Sequence, residues 1–443
     1  MKKLLALGMV LLLSLTFLMA CDNGDEEVVD EPDVEENGDN GDVEVDVDEE
    51  DEEPSEETAF GGENFTLWID NADYGNALVA ALSERFPESN FEFEEVGGTE
   101  TLDRLMLDGP AGIGADILLF PHDQIPSAVN QNLVLPLGPD LADAMNGRIP
   151  EVALGAVRLD GNYFAVPLRT ESVALFYNSD LLEANGFEVA GSWEEIIEQA
   201  NEYNDVANND FLIRWEAGNA FFNHFFLTAF GFELFGPEHT DADAVNFDTP
   251  AVLEGLEFFA ELRDILPVPA GDLNWDTVHG AFVAGEVPYI ITGPWSIPYI
   301  VNDGAGFEWG VTTIPTINGV QPRTFSGNHL AVASAHTEYP DLARAVLEFM
   351  MSDEGLQMVY DEIGVIPALI DLSVISGLAD DPFLLGVAAQ AEHSHPMPAI
   401  PEMGHYWDPA EAMFESVWEG LATPAEAVES AMQAFEAARA LAE

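Results

Sequence analysis

The sequence predicts an α/β fold built from βαβ units around a mostly parallel sheet. Short apolar runs, bounded by Gly, Pro, Asn or Asp, alternate with segments of helical periodicity along the 443 residues, which is typical of that class. The chain is long enough for about two domains with a large core. Ligands of open α/β sheets sit beyond the carboxyl ends of the strands. An apolar run from Tyr289 reaches Gly293-Pro294 and then Trp295, so the sequence places Trp295 at such a rim.

Each predicted element has its own local signal. The first half is predicted to contain strands 64–69, 91–96 and 115–120, helices 77–86 and 101–107, a break at 70–75, a hairpin turn at 161–167 and a strand at 169–178. The second half is predicted to contain helices 193–202, 220–232, 249–266, 278–284, 340–351 and 353–360, an extended link at 364–367 and two helices after Trp407. Ser192 is the expected N-cap of helix 193–202, because its hydroxyl can accept from first-turn amides.

The amino terminus has the pattern of an export signal. Lys2 and Lys3 precede an apolar run, and apolar or small residues lead up to Cys21, which describes a secretory signal rather than a membrane span. Residues 1–20 resemble a bacterial lipoprotein signal, in which Cys21 would be lipidated and become the mature N-terminus. A plain signal peptide with an incidental cysteine is the alternative. Cys21 is the only cysteine, so intrachain disulfides and cysteine metal sites are excluded.

The rest of the chain is strongly acidic. Residues 22–57 hold 21 acidic and no basic side chains, so this segment is predicted to be an extended tether, with a specific partner as the alternative. Beyond it, 62 acidic residues stand against 10 arginines, and no lysine follows Lys3. Such a domain repels itself unless salt screens its charges. The composition therefore predicts a salt-loving source and argues against nucleic acid and anionic ligands.

Three motifs, in this order, resemble a known family. They are Phe120-Pro-His-Asp123, Ile291-Thr-Gly-Pro-Trp295 and Met397-Pro-Ala-Ile-Pro-Glu-Met-Gly-His-Tyr-Trp407, with Gly161-Asn-Tyr-Phe-Ala-Val-Pro167, Phe176-Tyr177-Asn178-Ser-Asp-Leu-Leu and Ser352-Asp-Glu-Gly355 as further landmarks. From about Phe65 to the C-terminus the chain is similar to the maltose/maltodextrin-binding proteins, which are extracellular solute-binding proteins of ABC importers. No motif is specific alone, but their order and spacing together carry the resemblance.

The resemblance implies a periplasmic-binding-protein-like fold, with two α/β lobes around a hinge and a ligand cleft. After a signal (1–20) and a linker (21–60), it implies an amino-terminal lobe of 61–168 plus 328–374 and a carboxy-terminal lobe of 169–327 plus 375–443. Hinge crossings are expected near 166–171, 324–330 and 370–378.

The resemblance also implies which residues contact the sugar. They are Asp123 and Glu171 as acceptors for hydroxyls, Trp295 and Trp407 as stacking rings, Phe221 as the aromatic of the second lobe, Phe120 where the family often has Trp, and Met397 as a minor contact.

Several positions depart from the family pattern. The loop 70–75 lacks the lysine that enterobacterial maltose binders use, and Gln124 stands in place of an arginine. Asn219 lies about where a glutamate is expected, and Glu411 replaces a distal arginine. These changes fit either the lysine-poor composition or a different sugar, so the resemblance predicts sugar binding more firmly than it predicts an α-glucan.

The residue types suit a neutral sugar independently of the resemblance. Carboxylates are strong acceptors for ring hydroxyls, and flat aromatic faces cover the C–H faces of the rings with little loss of entropy. The carboxylates of this set are Asp123 and Glu171, and its aromatic side chains are Trp295, Trp407, Phe221 and Tyr74. A highly negative protein also favours a neutral ligand, because no charge repulsion opposes binding.

Each of these residues also has a structural interpretation. Trp295 and Phe221 suit core packing, since most aromatic residues are largely buried. Asp123, between a strand and Gln124-Ile-Pro, suits a helix N-cap. Glu171 suits a solvated surface in a chain rich in glutamate, and Trp407 follows a proline-rich loop that favours neither interpretation.

Catalytic and metal sites are not indicated. Asp123 and Glu171 could form a glycosidase acid–base pair, but such a pair carries little information among 83 acidic residues. No Gly-x-Ser-x-Gly elbow, phosphate loop or His-Glu-x-x-His helix is present. His393, His395 and His405 are separated by prolines and do not share a helical face. No cofactor or metal site is therefore predicted. Binding of calcium by carboxylates on the acidic surface is the alternative that the sequence leaves open.

The sequence thus predicts a lipid-anchored, monomeric, extracytoplasmic binding protein that is not an enzyme. It would take maltodextrin-type oligosaccharides by hinge closure, because only the closed form offers contacts from both lobes, and deliver them to ABC permease subunits. One alternative is a binding protein for another neutral oligosaccharide. Another, from a different class, is a cell-surface carbohydrate hydrolase, which turnover of oligosaccharide would reveal.

Overall fold

The computed structural model describes residues 60–302 and 306–442. The predicted signal, Cys21 and most of the linker, including the whole acidic tether, lie outside the described residues. Within the described ranges, no helix combines the length and the apolar character that crossing a membrane requires.

The described chain alternates strands and helices, as the sequence predicts. In chain order the strands are β1 (Asn64–Ile69), β2 (Asn90–Glu95), β3 (Ile117–Pro121), β4 (Arg158–Leu159), β5 (Asn162–Tyr163), β6 (Val166–Ser172), β7 (Ala174–Asn178), β8 (Ile213–Arg214), β9 (Tyr289–Thr292), β10 (Trp309–Thr312), β11 (Thr324–Ala333), β12 (Ile366–Pro367) and β13 (Ser394–Pro396).

The helices lie between and after these strands. They are α1 (Ala72–Arg85), α2 (Thr101–Asp108), α3 (Ile125–Asn130), α4 (Pro139–Met145), α5 (Glu151–Ala156), α6 (Ser179–Asn185), α7 (Trp193–Tyr203), α8 (Ala220–Thr228), α9 (Pro250–Glu261), α10 (Trp275–Val283), α11 (Ile297–Asn302), α12 (Pro340–Met351), α13 (Asp353–Ile363), α14 (Pro382–Ala391), α15 (Trp407–Trp418) and α16 (Pro424–Ala442). Short 3₁₀ helices lie at His122–Gln124, Leu262–Asp264, Ala270–Asp272, Pro294–Ser296, Leu372–Val374, Leu378–Asp380 and Pro401–His405.

Two sheets form the centres of the two α/β lobes. The larger sheet has the strand order β12-β6-β11-β3-β1-β2, with β13 also paired to β11, and the smaller sheet has the order β10-β7-β9-β8. The expectation of a mostly parallel sheet is wrong. Parallel pairs join β1 to its two neighbours, β11 to β13, and β8 to β9, whereas β6 and β11 pair antiparallel with each other and with most of their neighbours. Strands that connect to the other lobe need no βαβ crossover, so nothing forces them to be parallel.

Helices cover both faces of each sheet, so successive strand residues enter different cores. In β3, Ile117 and Leu119 pack into one apolar cluster, and Leu118 and Phe120 pack into another. This alternation follows from the two-residue period of a strand. Burial on both faces explains why the strands read as continuous apolar runs.

The predicted single strand over 169–178 is two strands that belong to different sheets. β6 stays in the larger sheet through Ser172, and β7 begins in the smaller sheet at Ala174. The hydroxyl of Ser172 donates to the carbonyl oxygen of Phe325 at 2.9 Å and shares a 2.7 Å hydrogen bond with the hydroxyl of Thr324. These bonds fasten the end of β6 to the start of β11, so the chain changes sheet at Val173.

The first helix also begins earlier than predicted. The expected break at 70–75 is instead the cap and first turn of α1, because the side chain of Asn71 accepts from the backbone N–H of Tyr74 at 2.9 Å. Gly75 lies inside the helix, where a Cβ atom would lie 2.5 Å from the ring of Phe93. This glycine therefore serves a close approach between helix and sheet rather than a turn.

Other boundaries differ by smaller amounts. α8 ends at Thr228, four residues before its predicted end, because Gly231 adopts φ +94 and stops the helix. Ser192 caps α7 as expected, with its hydroxyl accepting from Glu195 N–H at 3.2 Å.

Candidate functional site

Trp295 lies directly after the carboxyl end of β9, as its sequence context predicts. Gly293 and Pro294 end the strand, and Trp295 sits in the 3₁₀ turn that follows. A Cβ atom on Gly293 would lie 2.1 Å from the indole, so glycine is needed for the ring to fold back over the strand end. The hydroxyls of Thr292 and Ser296 share a 2.7 Å hydrogen bond across the turn. The turn thus fixes the half-buried indole in place.

Trp295 belongs to a group that we call the aromatic wall: Phe221, Trp295, Phe325 and Trp407. The ring centroid of Phe221 lies 6.3 Å from that of Trp295 and 6.2 Å from that of Phe325. The centroid of Phe325 lies 5.9 Å from that of Trp407. Phe325 is fully buried, whereas the other three are partly exposed. The wall therefore combines three accessible rings with a buried base, and sequence analysis missed Phe325, which lies within the long strand β11.

Asp123 lies in the 3₁₀ turn that follows β3. Its Oδ2 accepts a 2.9 Å hydrogen bond from the indole nitrogen of Trp407. Its Oδ1 is buried and has no partner among the described residues. Helix α3 begins after Gln124 without a side-chain cap, so Asp123 does not play the N-cap role that its sequence context also allowed. A buried carboxylate oxygen beside aromatic rings is ready to accept from a hydroxyl group.

His122 holds the Asp123 turn in place, and sequence analysis did not single it out. Its Nδ1 accepts from the backbone N–H of Asn328 at 3.0 Å, and its Nε2 lies 3.0 Å from the carbonyl oxygen of Met397. Together these contacts define a neutral ring with its proton on Nε2. Burial lowers the pKa of His122. Burial also raises the pKa of Asp123, against the opposing effects of His122 and of the Trp407 hydrogen bond.

Glu171 lies on β6 and is held by an ion pair. Nε of Arg169 approaches Oε1 of Glu171 at 2.5 Å, and a terminal nitrogen of Arg169 donates to Oδ2 of Asp70 at 2.6 Å. Nδ1 of His329 lies 3.2 Å from the same Asp70 oxygen. We call Asp70, Arg169, Glu171 and His329 the buried charge cluster. Glu171 is therefore not a solvated surface residue.

Arg169 sets the electrostatics of the buried charge cluster. Burial alone would raise the pKa of Asp70, but the charge of Arg169 and the neighbouring His329 outweigh it, and the pKa lies below its ordinary value. Burial would lower the pKa of Arg169, but Asp70 and Glu171 raise it instead. Burial and the nearby Arg169 charge lower the pKa of His329. The cluster thus holds one cation and two carboxylates beside a neutral histidine.

Three further predicted contact residues are buried. Tyr74 and Phe120 have no exposed surface, so the structure presents neither ring to a ligand. Phe120 follows the alternation of β3 into an apolar core, and the hydroxyl of Tyr74 is buried without a partner in the described ranges. Met397 is buried as well, and its Cε lies 3.2 Å from where a Cβ on Gly327 would be. Its backbone carbonyl, rather than its side chain, reaches the site by facing His122.

Two departures from the family pattern have local roles. Asn219 caps α8 by accepting from the backbone N–H of Phe221 at 2.9 Å. Glu411, on α15, acts on Glu216. Burial raises the pKa of Glu216 to about 7, and the charge of Glu411 adds to the effect. The Glu216 carboxyl group is therefore partly protonated near neutral pH.

Histidines gather behind the aromatic wall. Nε2 of His395 lies 2.9 Å from Nε2 of His224, and the ring of His239 stacks on His395 at 4.4 Å. The ring of His224 stacks on Phe325 at 3.5 Å. Within residues 60–302 and 306–442, no three His, Cys, Asp or Glu side chains are placed to hold a metal ion. These histidines thus support the wall from its buried side.

The fold and the site together define a class of protein. Asp123 follows a strand of the larger sheet, and Trp407, which donates a hydrogen bond to it, begins a helix that shares an apolar cluster with β9 of the smaller sheet. This is the construction of a two-lobed binding protein for a polar solute. The chain belongs to the family of bacterial extracellular solute-binding proteins, whose family model matches residues 77–382.

Curated relatives of the chain bind oligosaccharides by name. A maltotriose-binding protein of Pyrococcus abyssi is 26% identical over 372 residues, which are 82% of this chain and 79% of the relative. A galactooligosaccharide-binding protein of Bacillus subtilis is 24% identical over 398 residues, which are 86% of this chain and 91% of the relative. These relatives are solute-binding proteins and not enzymes.

Solved structures of sugar-binding proteins share the fold. A cyclo/maltodextrin-binding protein complexed with maltotetraose is 28% identical, with a TM-score of 0.69 over 85% of this chain and 98% of that chain. A maltotriose-binding protein of Thermus thermophilus bound with maltotriose has a TM-score of 0.77 at 23% identity, over 85% of this chain and 100% of that chain. The expected periplasmic-binding-protein-like fold is confirmed.

Proposed function

We propose that this protein binds maltodextrin-type oligosaccharides between its lobes and is the extracytoplasmic substrate-binding component of an ABC importer. The observation that carries the proposal is the Asp123 carboxylate, which has one oxygen fixed by Trp407 and the other buried without a partner among the described residues, beside the aromatic wall. Relatives named for maltotriose and maltodextrin support the choice of sugar.

The proposed contacts follow the chemistry of a sugar ring. Trp295, Trp407 and Phe221 cover C–H faces, because their partly exposed rings lose little entropy on binding. Asp123 and Glu171 accept from hydroxyls, because ionised acceptors form the stronger hydrogen bonds. Met397 supports the site through its backbone carbonyl, which faces His122. We assign Phe120 and Tyr74, which are fully buried, to packing behind the site rather than to direct contact.

The proposed mechanism is closure of the lobes on the ligand. Contacts from Asp123 and from the aromatic wall come from different lobes, so a sugar that touches both favours the closed form. We propose lobes of 61–168 plus 328–374 and 169–327 plus 375–443. The passage between sheets at Val173 and the ladder between β6 and β11 support crossings near 166–171 and 324–330.

The amino-terminal segment gives the proposed location. We propose that Cys21 is lipidated and holds a monomeric domain at the cell membrane through the acidic tether, near its permease, in a salt-loving host. The relative named as a maltooligosaccharide ABC transporter solute-binding lipoprotein of Streptococcus pneumoniae supports such an anchor. Expression of Cys21→Ser tests it. The variant should leave the membrane fraction and appear in the soluble exported fraction, and retention at the membrane would contradict the anchor.

A tryptophan-fluorescence titration tests the sugar site. The purified protein at molar salt is titrated with maltotriose, longer maltodextrins and a cyclodextrin, because stacking on Trp295 and Trp407 changes the emission directly. We expect a saturable change that Trp295→Ala abolishes. Trp309→Phe is the control, since Trp309 stacks on Phe383 at 3.7 Å outside the aromatic wall, and it should bind as the wild type does. If the folded wild type shows no fluorescence change with any neutral sugar, the proposal is overturned.

A second neutral oligosaccharide is the runner-up ligand. The galactooligosaccharide-binding relative and the carboxyl pair Glu216 and Glu411, in place of the expected basic group, favour it. The same titration with galactooligosaccharides separates the two. A saturable fluorescence change with galactooligosaccharides and no change with α-glucans would support the importer role with a different substrate.

A further inference from the structure

The buried charge cluster contains a cation that the proposed function leaves unused. Arg169 is 6% exposed at its side chain, and its carboxylate partners Asp70 and Glu171 are 14% and 16% exposed. A buried guanidinium stays charged and must be paired. Arg169 is therefore held by two carboxylates, one of which is a proposed sugar contact.

Sheet geometry assembles this cluster. Arg169 and Glu171 are two residues apart on β6, so their side chains leave the same face. The register of β6 and β11 places Arg169 opposite His329 and Glu171 opposite Gly327, with a shift after His329 that leaves Leu168 as an extra residue. Such bulges redirect neighbouring side chains and recur next to functional sites. Asp70 directly follows β1, a strand that is not adjacent to β6.

The arrangement fixes both carboxylates in space. Glu171 meets Arg169 through Nε and Asp70 meets it through a terminal nitrogen, at 2.5 Å and 2.6 Å. A planar guanidinium is rigid, so the hydrogen bond to Asp70 and the ion-pair contact to Glu171 give the two carboxyl groups a defined separation. Oδ1 of Asp70 remains buried and has no partner within the described residues. The cluster thus keeps a carboxylate oxygen, Oδ1 of Asp70, available to accept a hydrogen bond, and Arg169 prevents the carboxyl groups from reorienting.

We propose that Arg169 is a positioning residue for ligand binding, which holds the side chains of Glu171 and Asp70 in fixed positions as acceptors for the hydroxyls of the oligosaccharide. This role rests on the proposed function. The contacts of Arg169 with Glu171 and Asp70 persist at high ionic strength, because salt screens exposed charges far more than buried ones. A chain with few cations and many carboxylates needs such an internal cation wherever it must keep a carboxylate ionised away from water.

The groups facing Asp70 define what a change of pH would report. Tyr74 on α1, Tyr299 on α11 and His329 on β11 join Arg169 and Glu171 around it. Burial raises the pKa of both tyrosines and lowers that of His329, so these three groups stay neutral near neutral pH. Without Arg169, the effect of burial, which raises the pKa of Asp70, would be opposed chiefly by His329 alone. Acidification would then protonate an acceptor that the wild type keeps ionised.

The test measures the Kd of maltotriose by calorimetry, near pH 8 and near pH 5.5, for the purified full chain and its variants. Arg169→Met removes the charge and keeps an unbranched side chain. Near pH 8 we expect the variant to bind about tenfold more weakly than the wild type. Near pH 5.5 we expect the ratio of the variant's Kd to the wild-type Kd to be larger by a further factor of at least about three. Arg169→Lys keeps the charge without the fork and should fall between, with the pH dependence of the wild type. Arg104→Met is the matched control. Arg104 also pairs with two carboxylates, but it is 34% exposed and lies outside the site, so its removal should leave both Kd values unchanged.

Each outcome decides the proposal. Unchanged binding in Arg169→Met, or an equal loss at both pH values, would overturn a positioning role through charge. If Arg169→Met shows no cooperative thermal transition, Arg169→Lys decides. Weaker binding by a folded Arg169→Lys supports the role, whereas wild-type affinity assigns Arg169 to folding alone. A wild type that binds galactooligosaccharides instead allows the same comparison with that sugar. A wild type that binds no neutral oligosaccharide would overturn the proposed function itself, which is distinguishable from failure of the Arg169 role alone.

Discussion

The indole nitrogen of Trp407 donates a 2.9 Å hydrogen bond to Oδ2 of Asp123, across 284 residues of sequence. The bond joins the end of β3 to the start of α15. Two residues expected to contact sugar separately therefore form one unit, in which the indole fixes the carboxylate and still offers its ring face.

Trp407→Phe tests this coupling, because phenylalanine keeps a ring against Phe325 and removes the N–H. We expect sugar affinity to fall about tenfold, the usual effect of losing a hydrogen bond to a charged group. The loss should grow as the pH falls, since burial raises the pKa of Asp123 and the Trp407 bond opposes that rise. Calorimetry near pH 8 and pH 5.5 measures both effects, with Trp309→Phe as the control. Equal affinity of variant and wild type at both pH values would mean that the bond does not prepare Asp123 for the ligand.

The histidines behind the aromatic wall should make stability depend on pH. Burial lowers the pKa of His395 to about 3 and also holds the pKa of His224 well below its ordinary value, whereas the unfolded value is about 6.5. The unfolded chain therefore binds more protons, and stability is lost as the pH falls from about 6.5 toward the folded pKa. At pH 4.5 His395 alone should cost about 3 kcal/mol.

His395→Gln isolates this term, because glutamine has a polar nitrogen near the position of Nε2 and cannot charge. Urea unfolding at pH 7 and pH 4.5 should show a smaller loss of unfolding free energy in the variant than in the wild type. His336→Gln, at an exposed position, should follow the wild type. If the His395 variant loses as much stability on acidification as the wild type, buried neutral histidine is not the cause.

Much of this architecture is readable from local sequence signals. The glycine and proline after β9 place Trp295 correctly, and the hydroxyl of Ser192 caps its helix as expected. These features depend on neighbours in sequence, whose physics is the same in any fold. The aromatic and carboxylate residue types also indicate a sugar site before any geometry is known.

The rest depends on which strands become neighbours. Arg169 meets Asp70 and lies opposite His329 only because β6 pairs with β11 within the larger sheet, and no local pattern encodes that pairing. The change of sheet at Val173 cannot be predicted from local sequence for the same reason. It depends on the hydrogen bond from Ser172 to a strand about 150 residues away. Phe120 and Tyr74, which are predicted contacts and lie fully buried, show the opposite ambiguity, because a residue type that suits a ligand also suits a core.

Salt should stabilise the protein through its net charge. The chain carries 83 acidic and 12 basic residues, so repulsion within the folded state falls as ions screen it. Exposed ion pairs such as Arg344 with Asp341 will weaken at the same time, but such pairs contribute little. We expect the melting temperature to rise steeply with NaCl and to level off near 1 M, where the screening length is about 3 Å. A rise that continues linearly beyond that point would indicate salting-out of apolar surface instead.

A neighbouring pair of glycines offers a test of the packing around the buried charge cluster. A Cβ atom on Gly98 would lie 2.5 Å from Nε2 of His329 and 3.5 Å from Oδ2 of Asp70. His329 is buried, so its ring has little room to move. Gly98→Ala should therefore lower the free energy of unfolding by about 1–3 kcal/mol, as overpacking does elsewhere, and should separate His329 from Asp70.

Gly97→Ala is the matched control one residue earlier, where the nearest atom to a Cβ would be 3.7 Å away on Glu100. Denaturant unfolding of both variants measures the difference, and calorimetry with sugar shows whether the displaced histidine reaches the binding site. We expect Gly97→Ala to unfold and bind as the wild type does. Should the two alanines prove equally harmless, the contact of Gly98 with His329 would not constrain the cluster, and the close fit of this loop would have no part in holding Asp70.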